Sequence, residues 1–123
     1  MKSRKTSLRR QILRLEAQRA RVLQTLLSSQ PLLRGSLSQA TRTCGNPTCH
    51  CAQGPGHPVW ALATRQGVSR RCQVVRKADV EEVSQRVAVY REFRHALRRL
   101  QAIQKELKAL LNGYLEERDL PYE

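Results

Sequence analysis

Between Cys44 and His57 the chain reads CGNPTCHCAQGPGH, which places three of its four cysteines, two histidines, two prolines and three glycines in fourteen residues. Thiolates and imidazole are preferred ligands of Zn2+, and three cysteines with one histidine make an ordinary closed tetrahedral set. The spacing is Cys44-x4-Cys49-x-Cys51-x5-His57. Gly45 and Pro47 suit the sharp turn that would bring Cys44 beside Cys49, and Gly54, Pro55 and Gly56 suit a bend that returns His57 to them. On the residues alone the fourth ligand stays open between His57, Cys72, and His50 or water. Cys72 reads as mid-strand, on the face of Arg70 and Val74, where its plainer role is that of a small buried apolar residue. His50 lies between two candidate ligands and is expected to point away from them. The x4 and x1 spacings are not the common C-x2-C knuckle. A disulfide pair or free thiols are the alternative for the whole loop, but disulfides need an oxidising compartment. The segment from Met1 to Gln24 is charged throughout, with no unbroken apolar stretch or small-residue cleavage site, so no secretory signal is expected.

The role expected of such a metal is structural. A catalytic zinc keeps an open position and works with a nearby general base, yet the stretch from Ala17 to Ala78 contains no Asp or Glu. The H-x-E and C-x-x-C pair of a zinc deaminase is absent. So are a phosphate-cradling glycine loop and a triad signature, and Cys49 with Cys51 would make a strained redox pair. The protein is therefore expected not to be an enzyme.

Net charge is +13 over 123 residues, and its distribution matters more than its sum. The part from Met1 to Ala78 carries fifteen Lys/Arg and one acid, Glu16, whereas the part from Asp79 to Glu123 carries eight Lys/Arg and nine acids. A one-sign field of this extent repels itself and suits a polyanion. Eighteen of the 23 cations are arginine, the side chain better suited to bidentate phosphate contacts. The candidate nucleic-acid contacts are Arg34, Arg42, Arg65, Arg70, Arg71, Arg76 and Lys77 around the cysteine loop, with Lys5, Arg9 and Arg10 near the N-terminus. Alternation along the chain places Arg71 and Lys77 on one face of a hairpin and Arg70 and Arg76 on the other. Trp60 could stack on a base or pack between sheet and helix, the more ordinary use of a tryptophan. The arginines after residue 85 share their segment with acids and read as helix-surface pairs.

These residues need elements to hold them. After a basic arm at 1–5, Thr6 or Ser7 can cap a helix running to about Leu27. Leu8, Ile12, Leu15, Arg19, Val22 and Leu26 recur at alternating four- and three-residue steps, with Leu23 and Leu27 widening the stripe. Pro31 ends it. Two or three short antiparallel strands follow, at roughly 34–43, 58–65 and 69–76, with Gly67 supplying the positive φ of a tight turn. Asp79 then reads as the N-cap of a second helix, with Glu82 completing a capping-box pair. Its apolar line is Val83, Val87, Tyr90, Phe93, Leu97, Leu100, Ile103, Leu107, Leu110 and Tyr114. At ~35–40 residues this helix is about twice as long as the first, and its unmatched length suggests self-association. A β module with so little apolar content buries little, and a metal could supply the missing folding energy. No run approaches the ~20 apolar residues of a membrane span.

The motifs Arg34-Gly35-Ser36-Leu37, Thr43-Cys44-Gly45-Asn46-Pro47-Thr48-Cys49-His50-Cys51-Ala52, Gly54-x-Gly56-His57-Pro58 and Tyr90-Arg91-x-Phe93-Arg94 resemble an uncharacterised family of small basic bacterial and archaeal proteins. That family has an RGSL…CGKPxCRCAxGxGHGPY-like core and a following long helix. Its members are often companions of transposases or other mobile-element genes. The resemblance covers roughly residues 34–110. It implies Cys44, Cys49, Cys51 and His57 as the ligand set and gives Cys72 no counterpart. The chain departs from the pattern at His50 and at Pro58-Val59-Trp60. The expected protein is thus mostly α within an α+β class: basic arm and helix one at 1–30, zinc-binding β module at 31–77, long helix at 78–118 and tail at 119–123. The helices pair as a coiled-coil hairpin, within a homodimer. The expected function is structural-zinc, non-catalytic nucleic-acid binding, DNA favoured over RNA, for a mobile element with a transposase or recombinase partner in a bacterial or archaeal cytoplasm. The alternative is a zinc-stabilised coiled-coil adaptor for protein partners.

Overall fold

A computed structural model describes residues 7–122. The expected basic arm, the Thr6 cap and Lys5 lie outside the described residues. The first helix, α1, spans Leu8–Leu26. Ser7 caps it, its hydroxyl accepting from the Arg10 N–H at 3.2 Å. The four–three seam is the covered face: Leu15 and Val22 are buried, and Leu8, Ile12, Arg19 and Leu26 are half-buried. Arg19 tolerates its seam position because two of its guanidinium nitrogens engage Glu16, at 2.7 and 2.6 Å. That side-chain bond, with the opposite charge, holds the Glu16 carboxyl below the usual carboxylate range. Leu23 and Leu27 do not widen the stripe; both are exposed. Leu27 has left helical geometry as the C-cap, so its side chain no longer follows the seam.

Three antiparallel strands follow in the order β1-β2-β3: β1 Gly35–Arg42, β2 His57–Gln66 and β3 Ser69–Val75. Gly67, at φ 62°, opens a two-residue loop between the paired Gln66 and Ser69, as a tight hairpin requires. The register runs unbroken from Gly35↔Thr64 to Arg42↔His57 and from Gln66↔Ser69 to Trp60↔Val75. Period-two alternation therefore gives the sheet two different faces. Gly35, Leu37, Trp60, Leu62 and Val75 form a covered face, Leu62 being 4% exposed. Ser36, Ser38, Ala40, Arg42, Arg65, Arg70, Cys72 and Val74 lie on the other face and are all exposed. Gly35 has to be glycine: a Cβ there would sit 2.7 Å from the Ala63 carbonyl oxygen.

The second long helix, α2, spans Val80–Arg118. Asp79 is not its N-cap. An N-cap residue is extended, and here the extended residue is Arg76 (φ −61°, ψ 142°), three positions earlier. The chain is already wound into a 3-10 turn at Lys77–Asp79, and the Glu82 carboxylate takes the Arg86 guanidinium instead of reaching back. The same turn corrects the alternation expected for Arg76 and Lys77, because the strand ends at Val75.

The chain divides into two compact units. One comprises the part up to Ser29 with the part from Glu92 onward; the other is Gln30–Arg91. In the first, Leu15 and Val22 of α1 form a core with Ala96 and Ile103 of α2, flanked by Leu26, Leu100, Leu107 and Leu110. Ala96, not Leu97, supplies the buried position in that turn, and Leu97 is exposed. The smaller side chain lets the two helices approach. In the second unit Cys51, Leu62 and Val87 are buried, and the Leu33 N–H donates to the Arg86 carbonyl at 3.1 Å. The protein is thus α+β, with a helix, a small antiparallel sheet and a long helix in chain order. Among the described residues no helix is long and apolar enough to cross a membrane.

Candidate metal centre

The loop from β1 to β2 is built by local hydrogen bonds before any metal is invoked. Gly45 takes a positive φ of 86°. The Asn46 side-chain oxygen accepts from the Thr48 N–H at 3.0 Å and from the Thr48 hydroxyl at 2.8 Å, while its carbonyl accepts from the Cys49 N–H at 3.0 Å. This is a side-chain-supported turn of the kind Asn favours. Asn46 escapes a reading that credits the turn to Gly45 and Pro47, although an Asn-Pro pair is itself a turn signal. A short 3-10 turn, His50–Ala52, then points Cys51 inward, 2% exposed. Gly54, Pro55 and Gly56 return the chain to the start of β2.

The result brings Cys44, Cys49, Cys51 and His57 together, with their candidate ligand atoms all within 4.8 Å of one another. Cys44 Sγ lies 3.4 Å from Cys51 Sγ, and Cys49 Sγ lies 3.2 Å from His57 Nε2. A zinc tetrahedron with ~2.3 Å arms to sulfur has edges of about 3.8 Å, so this spread brackets a closed tetrahedral set. The four cysteines are free thiols. His57, as the first residue of β2, is paired with Arg42, and Gly56 is pressed against the Arg42 backbone. The fourth corner is therefore anchored in the sheet.

Electrostatics favour deprotonation at two corners. The backbone bond involving Asn46, then the Cys51 and His57 side chains, lower the Cys44 thiol to about 6. Backbone and side-chain bonding at Cys51, then His57, lower Cys49. Cys51 is pushed up: the Cys44 N–H donates to its sulfur and favours the thiolate, but desolvation and the two neighbouring thiols outweigh it. Bonding to Cys44 and then Cys49 raises His57. The acidified Cys44 and Cys49 thiols favour cation binding, whereas the raised His57 imidazole must give up its proton to join them, so cation binding releases protons.

The alternative ligands stand apart. His50 is exposed, with Nδ1 3.9 Å from Cys49 Sγ and its ring edge-on to His57 at 5.3 Å. Cys72 is outside the cluster, on β3 opposite Ala63. It is exposed rather than buried as its sequence context suggests, because it falls on the open face of the sheet.

Arg34 precedes β1, and Arg42 ends it. Arg65 on β2 stands directly opposite Arg70 on β3, and Arg71 lies opposite Thr64 on the covered face. Arg76 is the extended residue before the 3-10 turn that Lys77 opens, and Arg9 and Arg10 are exposed in the first turn of α1. Among the described residues the ion pairs are Arg19–Glu16 and Arg86–Glu82, so none of these nine has an acidic partner there.

The family model described as "Domain of unknown function (DUF6788)" matches residues 6–85, from the start of α1 to the first turns of α2. No curated protein and no solved structure matches the chain.

Proposed function

The chain belongs to the DUF6788 domain family, and from that premise we propose that it is a non-catalytic nucleic-acid-binding protein whose β module is clamped by a structural zinc ion. Cys44, Cys49, Cys51 and His57 would hold the ion, which supplies folding energy to a unit with few buried side chains. The observation that carries the nucleic-acid reading is the set of unpaired arginines around the sheet, within the acid-free stretch from Ala17 to Ala78. DNA is the favoured polyanion. The mobile-element setting, a transposase or recombinase partner and a bacterial or archaeal cytoplasm rest on the motif resemblance alone. Filter binding of a DNA duplex at two salt concentrations tests the reading. Affinity should fall steeply with salt, by about 0.9 log unit per log unit of salt for each phosphate neutralised. No duplex or single-strand binding at low salt removes it.

Self-association, which either a nucleic-acid-binding protein or a protein-interaction adaptor could use, is favoured by one observation. Leu97, Leu111 and Leu115 are exposed on α2, and their positions differ by close to whole helical turns, so they share one side of the helix. We propose that this stripe seats a second copy of the chain. Sedimentation of wild type against Leu111→Ser/Leu115→Ser should show a dimer and a monomer; a wild-type monomer removes the dimer.

A further inference from the structure

The open face of the sheet has a specific composition. Its floor is made of Ser36, Ser38 and Ala40 from β1, Ala61 and Ala63 from β2, and Cys72 from β3, with Val59 and the exposed Val74 as the larger apolar members. Among the strand residues only three arginines stand on it. Arg42 is at one end, beside His57, and Arg65 and Arg70 are at the other. Two features favour an anion site over a solvated surface. Like charges directly opposite on neighbouring strands destabilise a sheet, and Arg65 and Arg70 are such a pair with no acid beside them. An anion lying between them would relieve that repulsion. The two cationic ends are also eight positions apart along β2, about 27 Å at ~3.4 Å per residue, so a single phosphate or nucleotide cannot bridge them and a polymer can.

The same face favours a duplex over a single strand. Single-strand binders rely on aromatic platforms for the bases. The aromatic residue of the sheet, Trp60, is half-buried on the opposite face with Leu62 and Val75. What remains is a shallow, sterically open floor with arginines at its ends, which suits phosphates carried on a duplex and offers nothing to unstacked bases.

We propose that the face bearing Arg42, Arg65 and Arg70 is the docking surface for the phosphate backbone of duplex DNA. This deepens the nucleic-acid reading above and rests on it. It also gives the cysteine loop a positioning role: the Gly56 backbone packs against Arg42, with a would-be Cβ 2.7 Å from its carbonyl carbon, so the loop fixes one end of the face.

The test compares two triple variants of equal charge change in the full chain: Arg42→Gln/Arg65→Gln/Arg70→Gln on the face, and Arg91→Gln/Arg98→Gln/Arg99→Gln at exposed positions of α2. The probes are a 20-base-pair mixed-sequence duplex and one of its strands, titrated at several salt concentrations. The first triple should weaken duplex binding at least about tenfold and reduce the salt slope by about 2–3, one step per lost phosphate contact. The second should change affinity less than about threefold. Without DNA, the single variant Arg65→Gln should melt no lower than wild type, since it removes a repulsion. Equal losses from both triples would overturn the face while leaving nucleic-acid binding in place. Preference of the wild type for the single strand would overturn the duplex. Absence of binding to either probe at low salt would remove the underlying reading as well.

Discussion

Cys51 and His57 make different contributions to the same cluster, and each has a variant that exposes it. Cys51 is the buried corner, its sulfur accepting from the Cys44 N–H at 3.4 Å, whereas His57 is the corner fixed by β pairing. Cys51→Ser and His57→Ala are each expected to lose bound zinc on purification, while Cys72→Ser keeps about one equivalent per chain. Elemental analysis of the three checks this, and metal loss from Cys72→Ser alone would replace the ligand set. Gly56 is the residue whose importance is steric. A Cβ there meets the Arg42 carbonyl carbon, nitrogen and oxygen at 2.7, 2.8 and 2.9 Å, and backbone atoms of a paired strand cannot yield. Gly56→Ala should cost about 1–3 kcal/mol. Gly54→Ala, where the nearest atom is the His50 carbonyl oxygen at 3.4 Å, should cost less than about 0.5 kcal/mol. Equal melting temperatures for the two zinc-loaded variants would mean that the return bend is not seated on β1. The convergence of the four candidate ligands was legible in the sequence because the loop is short. The seating of Gly56 was not, because Arg42 is remote from it along the chain and meets it only through the β1–β2 register.

At the scale of elements, α1 and the later part of α2 are held by a narrow core in which few side chains are fully covered. Intrinsic helix propensity therefore counts for more than usual. Gly113 is internal to α2, and a Cβ there would touch the Leu8 side chain at 3.5 Å, ordinary van der Waals contact. Gly113→Ala should stabilise the protein by about 1 kcal/mol, raising the melting temperature by several degrees; a fall would mean that Leu8 leaves less room at Gly113 than a 3.5 Å contact provides. Strand and helix bounds were largely readable, since hydrophobic period and turn residues act over a few neighbours. Asp79 was misread because its identity fits a cap equally well in an extended or a wound chain, and the backbone of Arg76 decided which. Leu97 and Ala96 were exchanged for a related reason: both lie near one side of the helical repeat, and only the approach of α1 selects the smaller.

For the whole molecule, the two units have unequal means of support. The helical unit has its own apolar core, whereas Gln30–Arg91 buries only Cys51, Leu62 and Val87 among the described residues. Structural zinc contributes roughly 10–16 kcal/mol in small modules at neutral pH, far more than three such side chains can. Excess chelator should therefore remove amide-exchange protection from β1, β2 and β3 while most of the helical circular-dichroism signal persists. Survival of protection in the strands after complete metal removal would show that the sheet stands without a clamp. The amino-acid sequence by itself determined the element order, the heptad-like seam of α1, the hairpin turn at Gly67 and the acid-free basic stretch, because periodicity, turn chemistry and composition are local or additive. Only the tertiary structure decided that Cys72 is exposed, that Trp60 and the three open-face arginines are on opposite sides of the sheet, and that Arg65 faces Arg70. Those outcomes depend on register between strands, where a shift of one residue moves every side chain to the other face.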